Sequence, residues 1–230
     1  MSDANSSTQA SSGPSIPTPT YGPGGTLSFA TVCTIRIRAT PRECLDAVLD
    51  SSSYPKWNRF CRACTIDAQP DNDGGHEPTL LRVGTHFTFD VHMTLGADEP
   101  VLPPPPTATT TTGQDQAAGG GQPIALEVSV LSPISEEEEQ GRKGWRVAWR
   151  QRPGAVAPEW MLRSERVHEF VEVVVDSATG EVQTEYRCWE TFYGPLAPVV
   201  RLTVGGKLEK AFEVWSKGLK WWVEEGGKGR

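Results

Sequence analysis

Apolar residues of this chain fall into short runs that alternate with polar positions, and long stretches almost without apolar side chains separate these runs. Alternation with a period of two is typical of strands that bury one face. The pattern predicts six to seven strands, at residues 29–38, 61–68, 85–93, 125–131, 144–150, 162–175 and 181–193. The last two are predicted to form a hairpin through residues 176–180, which include a glycine.

Helical signals stand at two places. Thr40, Pro41 and Glu43 form a capping-box pattern that predicts a helix to about residue 49, and residues 51–57 predict a second short helix or turn. Between residues 198 and 225, apolar side chains recur at steps of three or four, which predicts one long helix with a wide apolar stripe. The members of the stripe are Val204, Leu208, Phe212, Trp215, Leu219 and Trp222. The sequence therefore predicts an α+β fold with this helix on the apolar face of an antiparallel sheet.

Segments poor in apolar residues interrupt this pattern. Residues 1–25 and 96–123 are rich in Ser, Thr, Pro and Gly, so burial cannot offset their ordering entropy, and we expect a disordered tail and a long loop. Residues 132–144 contain four consecutive glutamates and are expected to form an acidic loop in solvent. We expect residues 227–230 to fray and residues 26–226 to form a single domain.

Charge and cysteine content narrow the class of protein. The chain has 22 basic and 29 acidic residues and a net charge of −7, so we expect neither a nucleic-acid partner nor stable membrane insertion. An apolar run long enough to span a bilayer, about 18 residues, is absent from the sequence. The five cysteines lack a regular framework, which predicts reduced thiols and a cytoplasmic location.

Motifs for metals and cofactors are weak. Cys61 and Cys64 form a C-x-x-C pair without a second ligand pair at matching spacing, so no metal site is expected. The chain has no nucleophile elbow, no zinc-protease motif and no phosphate-binding glycine loop. We therefore expect no cofactor.

Several segments resemble the START-like superfamily, which includes Bet v 1-like proteins, the polyketide cyclase/dehydratase group and the coenzyme Q-binding proteins. The similar segments are IRIRATPRECLDAVLD, SYPKWNRF, RVGTHFTFDVHM, ERVHEF, ETFYGPLAP and GGKLEKAFEVWSKGLKWWVEE, which together span about residues 29–225. The resemblance implies a helix-grip fold, in which a curved antiparallel sheet wraps round a long C-terminal helix and two short helices follow the first strand. It also implies a cavity between sheet and helix. The long segments 96–123 and 132–144 depart from the family pattern.

An apolar cavity with few polar groups favours a small hydrophobic ligand, such as a lipid, an isoprenoid or a polyketide-like molecule. The function predicted first is binding or carriage of that ligand, and the alternative is a cofactor-free cyclase, dehydratase or isomerase that uses the same cavity. The ligand, any reaction and the oligomeric state stay open. For each predicted ligand-binding residue the alternative is plain core packing. These residues are Trp57, Phe87, Phe89, Trp149, Phe170, Tyr186, Leu208, Phe212, Trp215 and Leu219.

Two ionisable residues are candidates for acid–base chemistry. His168 shares a strand face with Phe170 and is either an inward anchor or general base, or a solvated histidine beside charged neighbours. Glu190 shares a face with Tyr186 and is either a cavity carboxyl or a surface partner of an arginine. The sequence leaves both pairs of alternatives open.

Overall fold

A computed structural model describes residues 8–70, 77–93, 121–134, 141–176 and 178–226. Within these residues, eight antiparallel strands form one curved open sheet in the order β1-β2-β8-β7-β6-β5-β4-β3. The strands are β1 (Ala10–Gly13), β2 (Ser28–Ile37), β3 (Cys61–Ala68), β4 (His86–Val91), β5 (Gln122–Ile134), β6 (Gly144–Gln151), β7 (Arg163–Asp176) and β8 (Glu181–Tyr193). The predicted α+β class is confirmed, and so are all seven predicted strands.

Two short helices follow β2, as predicted. Helix α1 (Pro41–Leu49) begins with the capping box, since the Thr40 side chain accepts from the backbone N–H of Glu43 and the Glu43 carboxylate accepts from the backbone N–H of Thr40. A 3₁₀ turn (Ser51–Ser53) leads into helix α2 (Tyr54–Trp57). Helices α1 and α2 bury their apolar sides in the same core as α3 (Ala197–Trp221).

Helix α3 lies against the concave face of the sheet and continues into a π-helical turn (Trp222–Gly226). Val204 and Leu208 of its apolar stripe pack in a small cluster that includes Phe192, and the rest of the stripe meets the inner side chains of the strands in one large core cluster. The aromatic members of this cluster are Tyr54, Trp57, Phe60, Phe87, Phe89, Trp149, Phe170, Tyr186, Phe212 and Trp215. The predicted helix-grip arrangement is thereby confirmed.

The prediction of a disordered N-terminal tail is wrong for residues 8–25. Strand β1 pairs with β2 in register, with Ala10 opposite Cys33. Beyond it, Ile16 packs on the outer face of the sheet against Val167 and Trp189. Composition led to the wrong prediction because this segment forms no core of its own. It adds an edge strand to the sheet and covers part of the sheet's outer face. Residues 1–7 lie outside the described part of the chain.

Strand β5 also shortens both predicted loops. It extends from Gln122 to Ile134, so the ends of segments 96–123 and 132–144 belong to the sheet. Backbone pairing with β4 and β6 satisfies their N–H and C=O groups despite the low apolar content. Residues 94–120, 135–140 and 227–230 lie outside the described residues, and so do the predictions that fall on them.

Candidate functional site

A cavity of ≈ 230 Å³ lies between the inner face of the sheet and the first half of α3. From the helix, Val200, Val204 and Leu208 form one wall, which is the face of the apolar stripe nearest the start of α3. Side chains from six strands and three connecting segments form the rest. The apolar ones are Phe60, Cys61, Phe89, Val91, Met93, Ile124, Leu126, Trp149, Val156, Leu162 and Phe192, and the polar ones are Gln122, Gln151, Ser164, Arg166 and Glu190.

An ion pair is the most strongly polar feature of this lining. Arg166 on β7 stands directly opposite Glu190 on β8. Its Nε and Nη2 atoms donate to Oε2 of Glu190 at 3.1 and 2.9 Å. The Arg166 and Glu190 side chains are only 7% and 14% exposed, so the pair is nearly removed from water.

Two aromatic rings pack against the guanidinium of Arg166. Its central carbon lies 4.4 Å from the ring centroid of Phe212 and 5.3 Å from that of Phe60, within the range of cation–π attraction. Burial by itself lowers the pKa of Arg166, but the nearby carboxylate of Glu190 acts against it and the net direction is upward. The guanidinium is therefore a fixed positive charge on a mostly apolar wall.

His168 points inward on the same strand but lies in the packed core behind the cavity. It is fully buried, and its Nδ1 is 2.6 Å from the hydroxyl of Tyr186, which also accepts from Nε1 of Trp215 at 2.8 Å. Burial, and secondarily the charge of Arg166, hold the pKa of His168 well below its ordinary value. The imidazole is therefore neutral near pH 7 and does not line the cavity.

The structure separates the ten predicted ligand-binding residues into two groups. Phe89, Trp149 and Leu208 line the cavity. The remaining seven are absent from its lining and are at most 1% exposed within the core: Trp57, Phe87, Phe170, Tyr186, Phe212, Trp215 and Leu219. Of the two acid–base candidates, Glu190 faces the cavity and His168 does not. The C-terminal helix thus forms a cavity wall with its first half, not with its more aromatic second half.

Arg166, Ser164 and Gln151 were missed by the sequence reasoning. For Arg166 the sequence contains part of the evidence, because Arg166 and His168 are two residues apart on one strand and must share a face. What the sequence lacked was the register of β7 against β8, which sets Arg166 opposite Glu190. In that register Glu190 is paired with an arginine. The pair faces the cavity and not the outer surface of the sheet.

A larger depression of ≈ 700 Å³ lies between α1 and the π-helical turn, but its chemistry differs. Its lining includes the carboxylates of Glu43, Asp46, Asp50 and Glu224. The side chain of Asp46 is 54% exposed, so this is an open surface groove. Carboxylates in water offer little to an apolar molecule, so we place the candidate site in the smaller cavity.

Neither a metal-binding cluster nor a membrane-spanning helix is found among the described residues. In that part of the chain, no three His, Cys, Asp or Glu side chains are grouped so as to hold a metal ion. No described helix combines the length and the apolar character needed to cross a membrane. All five cysteines are free, and burial raises the pKa of the Cys64 and Cys188 thiols to about 12.

Known proteins resemble this chain in sequence and in fold. No family model matches it. The Oxopyrrolidines biosynthesis cluster protein O of Penicillium oxalicum is 29% identical over 203 residues, which cover 87% of each of the two chains.

Solved structures share the arrangement of sheet and helix. A hypothetical protein from Helicobacter pylori aligns with a TM-score of 0.50 and 14% identity over 84% of this chain and 86% of its own. A protein from Thermus thermophilus aligns with a TM-score of 0.50 and 12% identity over 86% and 99%. A START superfamily protein from Mycobacterium smegmatis gives a TM-score of 0.49 and 17% identity over 85% and 97%. At such identities the likeness concerns the fold alone, that is, the arrangement of the sheet and the long helix.

Proposed function

We propose that this protein binds a small, largely apolar molecule in the cavity between the sheet and the first half of α3, as a carrier or binding protein. The proposal rests on the lining itself, in which 14 apolar side chains surround five polar ones, among them the Arg166–Glu190 ion pair. A concave, mostly apolar site with a few placed polar groups is the usual form of a small-molecule site.

Cavity size favours a compact ligand. The volume of ≈ 230 Å³ lies just below the range of roughly 300–1,000 Å³ that drug-sized ligands occupy. A ligand of one or two rings suits this volume better than an extended lipid chain. Among the ligand classes that the sequence suggested, a small cyclic molecule is therefore favoured over a lipid.

The Penicillium oxalicum relative supports the same ligand class. Its name assigns it to the biosynthesis of oxopyrrolidines, which are small rings that carry a carbonyl group. The similarity extends over 87% of each of the two chains. We infer that this chain acts on, or carries, a molecule of similar size and polarity.

An enzymatic role of the same cavity, as a cofactor-free cyclase, dehydratase or isomerase, has one supporting observation. The carboxylate of Glu190 and the guanidinium of Arg166 both lie on the wall, where acid–base chemistry would need them. His168 is a poorer candidate because it is buried behind the wall.

Calorimetric titration with phenylcyclopentane, a compact apolar probe, tests the proposed binding function. Wild-type protein is expected to bind it, and Leu208→Trp, which fills part of the cavity, should weaken affinity at least about tenfold, or about 1.4 kcal/mol. Leu202→Trp is the matched control because Leu202 lies on the same helix and is 88% exposed. No binding of either phenylcyclopentane or its lactam analogue 1-phenyl-2-pyrrolidinone to wild type, or equal weakening by both substitutions, would contradict the proposal.

A further inference from the structure

We propose that the Arg166–Glu190 pair selects the ligand, and that it selects a neutral molecule with a carbonyl oxygen, which Arg166 binds through Nη1. This inference rests on the proposed binding function and deepens it, because it assigns the polar part of the ligand. It also makes Arg166 the residue that determines specificity.

Arg166 has hydrogen-bond donors left over. A guanidinium carries five N–H groups in a fixed plane. Glu190 engages Nε and Nη2, both through the single oxygen Oε2. Among the described residues Nη1 makes no hydrogen bond, and Arg166 belongs to the cavity lining. Nη1 is therefore available to an oxygen of a ligand in the cavity.

The guanidinium is held in place before any ligand binds. Glu190 fixes its in-plane orientation, and Phe212, at 4.4 Å, supports its face. Phe60 and Trp215 lie at 5.3 and 5.6 Å from the same carbon. A donor that is already immobilised loses little conformational entropy when it binds, so it contributes more to affinity than a mobile surface arginine would.

Charge balance favours a neutral ligand over an anion. The positive charge of Arg166 and the negative charge of Glu190 already compensate each other within the lining. A ligand carboxylate would bring a second negative charge into a site with little water, and its desolvation would have no unpaired cation to offset it. A carbonyl oxygen accepts the hydrogen bond without that cost.

The same donor disfavours a purely apolar ligand. A hydrocarbon that fills the cavity excludes water from Nη1 and leaves its N–H groups without an acceptor. Sites built to hydrogen-bond a ligand group reject analogues that lack the group for this reason. A ketone or lactam is thus expected to bind more tightly than a hydrocarbon of the same shape.

Three probes of similar shape test the ligand class: 1-phenyl-2-pyrrolidinone, phenylcyclopentane and 1-phenylcyclopentane-1-carboxylate. Calorimetry with the full-length wild-type chain is expected to give the order lactam, hydrocarbon, carboxylate, with the lactam at least about tenfold tighter than the hydrocarbon, or about 1.4 kcal/mol. Equal affinity for lactam and hydrocarbon, or tightest binding of the carboxylate, overturns the inference. Binding of the hydrocarbon in that experiment would still leave the proposed function in place.

The double variant Arg166→Met/Glu190→Leu links the preference to these residues. Replacing both members of a buried pair avoids a stranded charge and is often neutral for stability. We expect the tenfold preference for the lactam to disappear while hydrocarbon affinity is kept or improved. The matched control is Arg150→Met/Glu127→Leu, which removes an ion pair between β5 and β6 that does not line the cavity. Retention of the preference in the first variant, or its loss in the control, overturns the role of Arg166.

Discussion

Three aromatic side chains enclose the imidazole of His168 within the core. The ring centroids of Trp149 and Trp215 lie 4.3 and 5.3 Å from it, and Tyr186 is its hydrogen-bond partner. Trp215 donates to the Tyr186 hydroxyl, so the hydroxyl proton is free for Nδ1 of His168. Among the described residues Nε2 has no partner, and a charged imidazole would be strongly disfavoured there.

Stability is expected to depend on pH through His168. Its pKa is lowered in the folded state, whereas the unfolded chain takes up a proton below about pH 6.5. The unfolded state therefore binds more protons as pH falls below that value, and the folded state loses up to about 1.4 kcal/mol per pH unit. His168→Gln should remove this part of the pH dependence when the free energy of unfolding is measured in urea at pH 7.5, 6.5 and 5.5.

The control for this measurement is His86→Gln, a substitution of a partly exposed histidine on β4. It should keep the slope of the wild type. An unchanged slope in His168→Gln would mean that the buried imidazole does not control acid stability.

Helix α3 approaches its neighbours closely at one glycine. A Cβ atom at Gly218 would stand 2.5 Å from the carbonyl oxygen of Trp57, so the helix and α2 pack at a distance that only glycine permits. At Gly206, in the first half of the same helix, a Cβ atom would have no neighbour within 4 Å. The second half of α3 thus packs tightly against the core, while Val204 and Leu208 in the first half line the cavity.

Alanine substitutions at these two glycines should have opposite effects. Gly218→Ala is expected to cost about 1–3 kcal/mol, because the backbone of Trp57 must move. Gly206→Ala should stabilise by up to about 1 kcal/mol, because alanine favours the helix and nothing is displaced. Chemical denaturation of both variants measures the difference. Equal effects would show that the contact between α3 and α2 is not tight.

Most elements of this fold are readable from the sequence, and the exception has a physical cause. The alternation of β4, the capping box of α1 and the apolar stripe of α3 each carry a local signal. Strand β1 carries none, because its stability comes from pairing with β2 and from Ala10, which packs in the main core cluster. Trp189 Nε1 donates to the Pro17 carbonyl at 3.2 Å, a contact between residues 172 positions apart. Pairings of that kind cannot be inferred from local composition.

At the scale of the whole molecule, the position of the cavity follows from the sizes of the side chains along α3. Aromatic residues such as Trp215 and Phe170 suggested a cavity wall, yet they are fully buried in the packed core. The gap opens instead where smaller side chains of α3, Val200 and Val204, face the sheet. The sequence shows which side chains are available for a core but not which of them contact each other. It therefore predicted that a cavity exists more accurately than where the cavity lies.

Methyl NMR spectra recorded during titration with 1-phenyl-2-pyrrolidinone test the central claim most directly, because they report where the probe binds. We predict saturable shifts for the methyl groups of Ile124, Leu126, Val204 and Leu208, which line the cavity. The methyl groups of Val48 and Leu219, buried in the packed core away from that lining, should move far less. No saturable shifts at all, or largest shifts at the exposed residues Val199 and Leu202, would contradict a ligand site in this cavity.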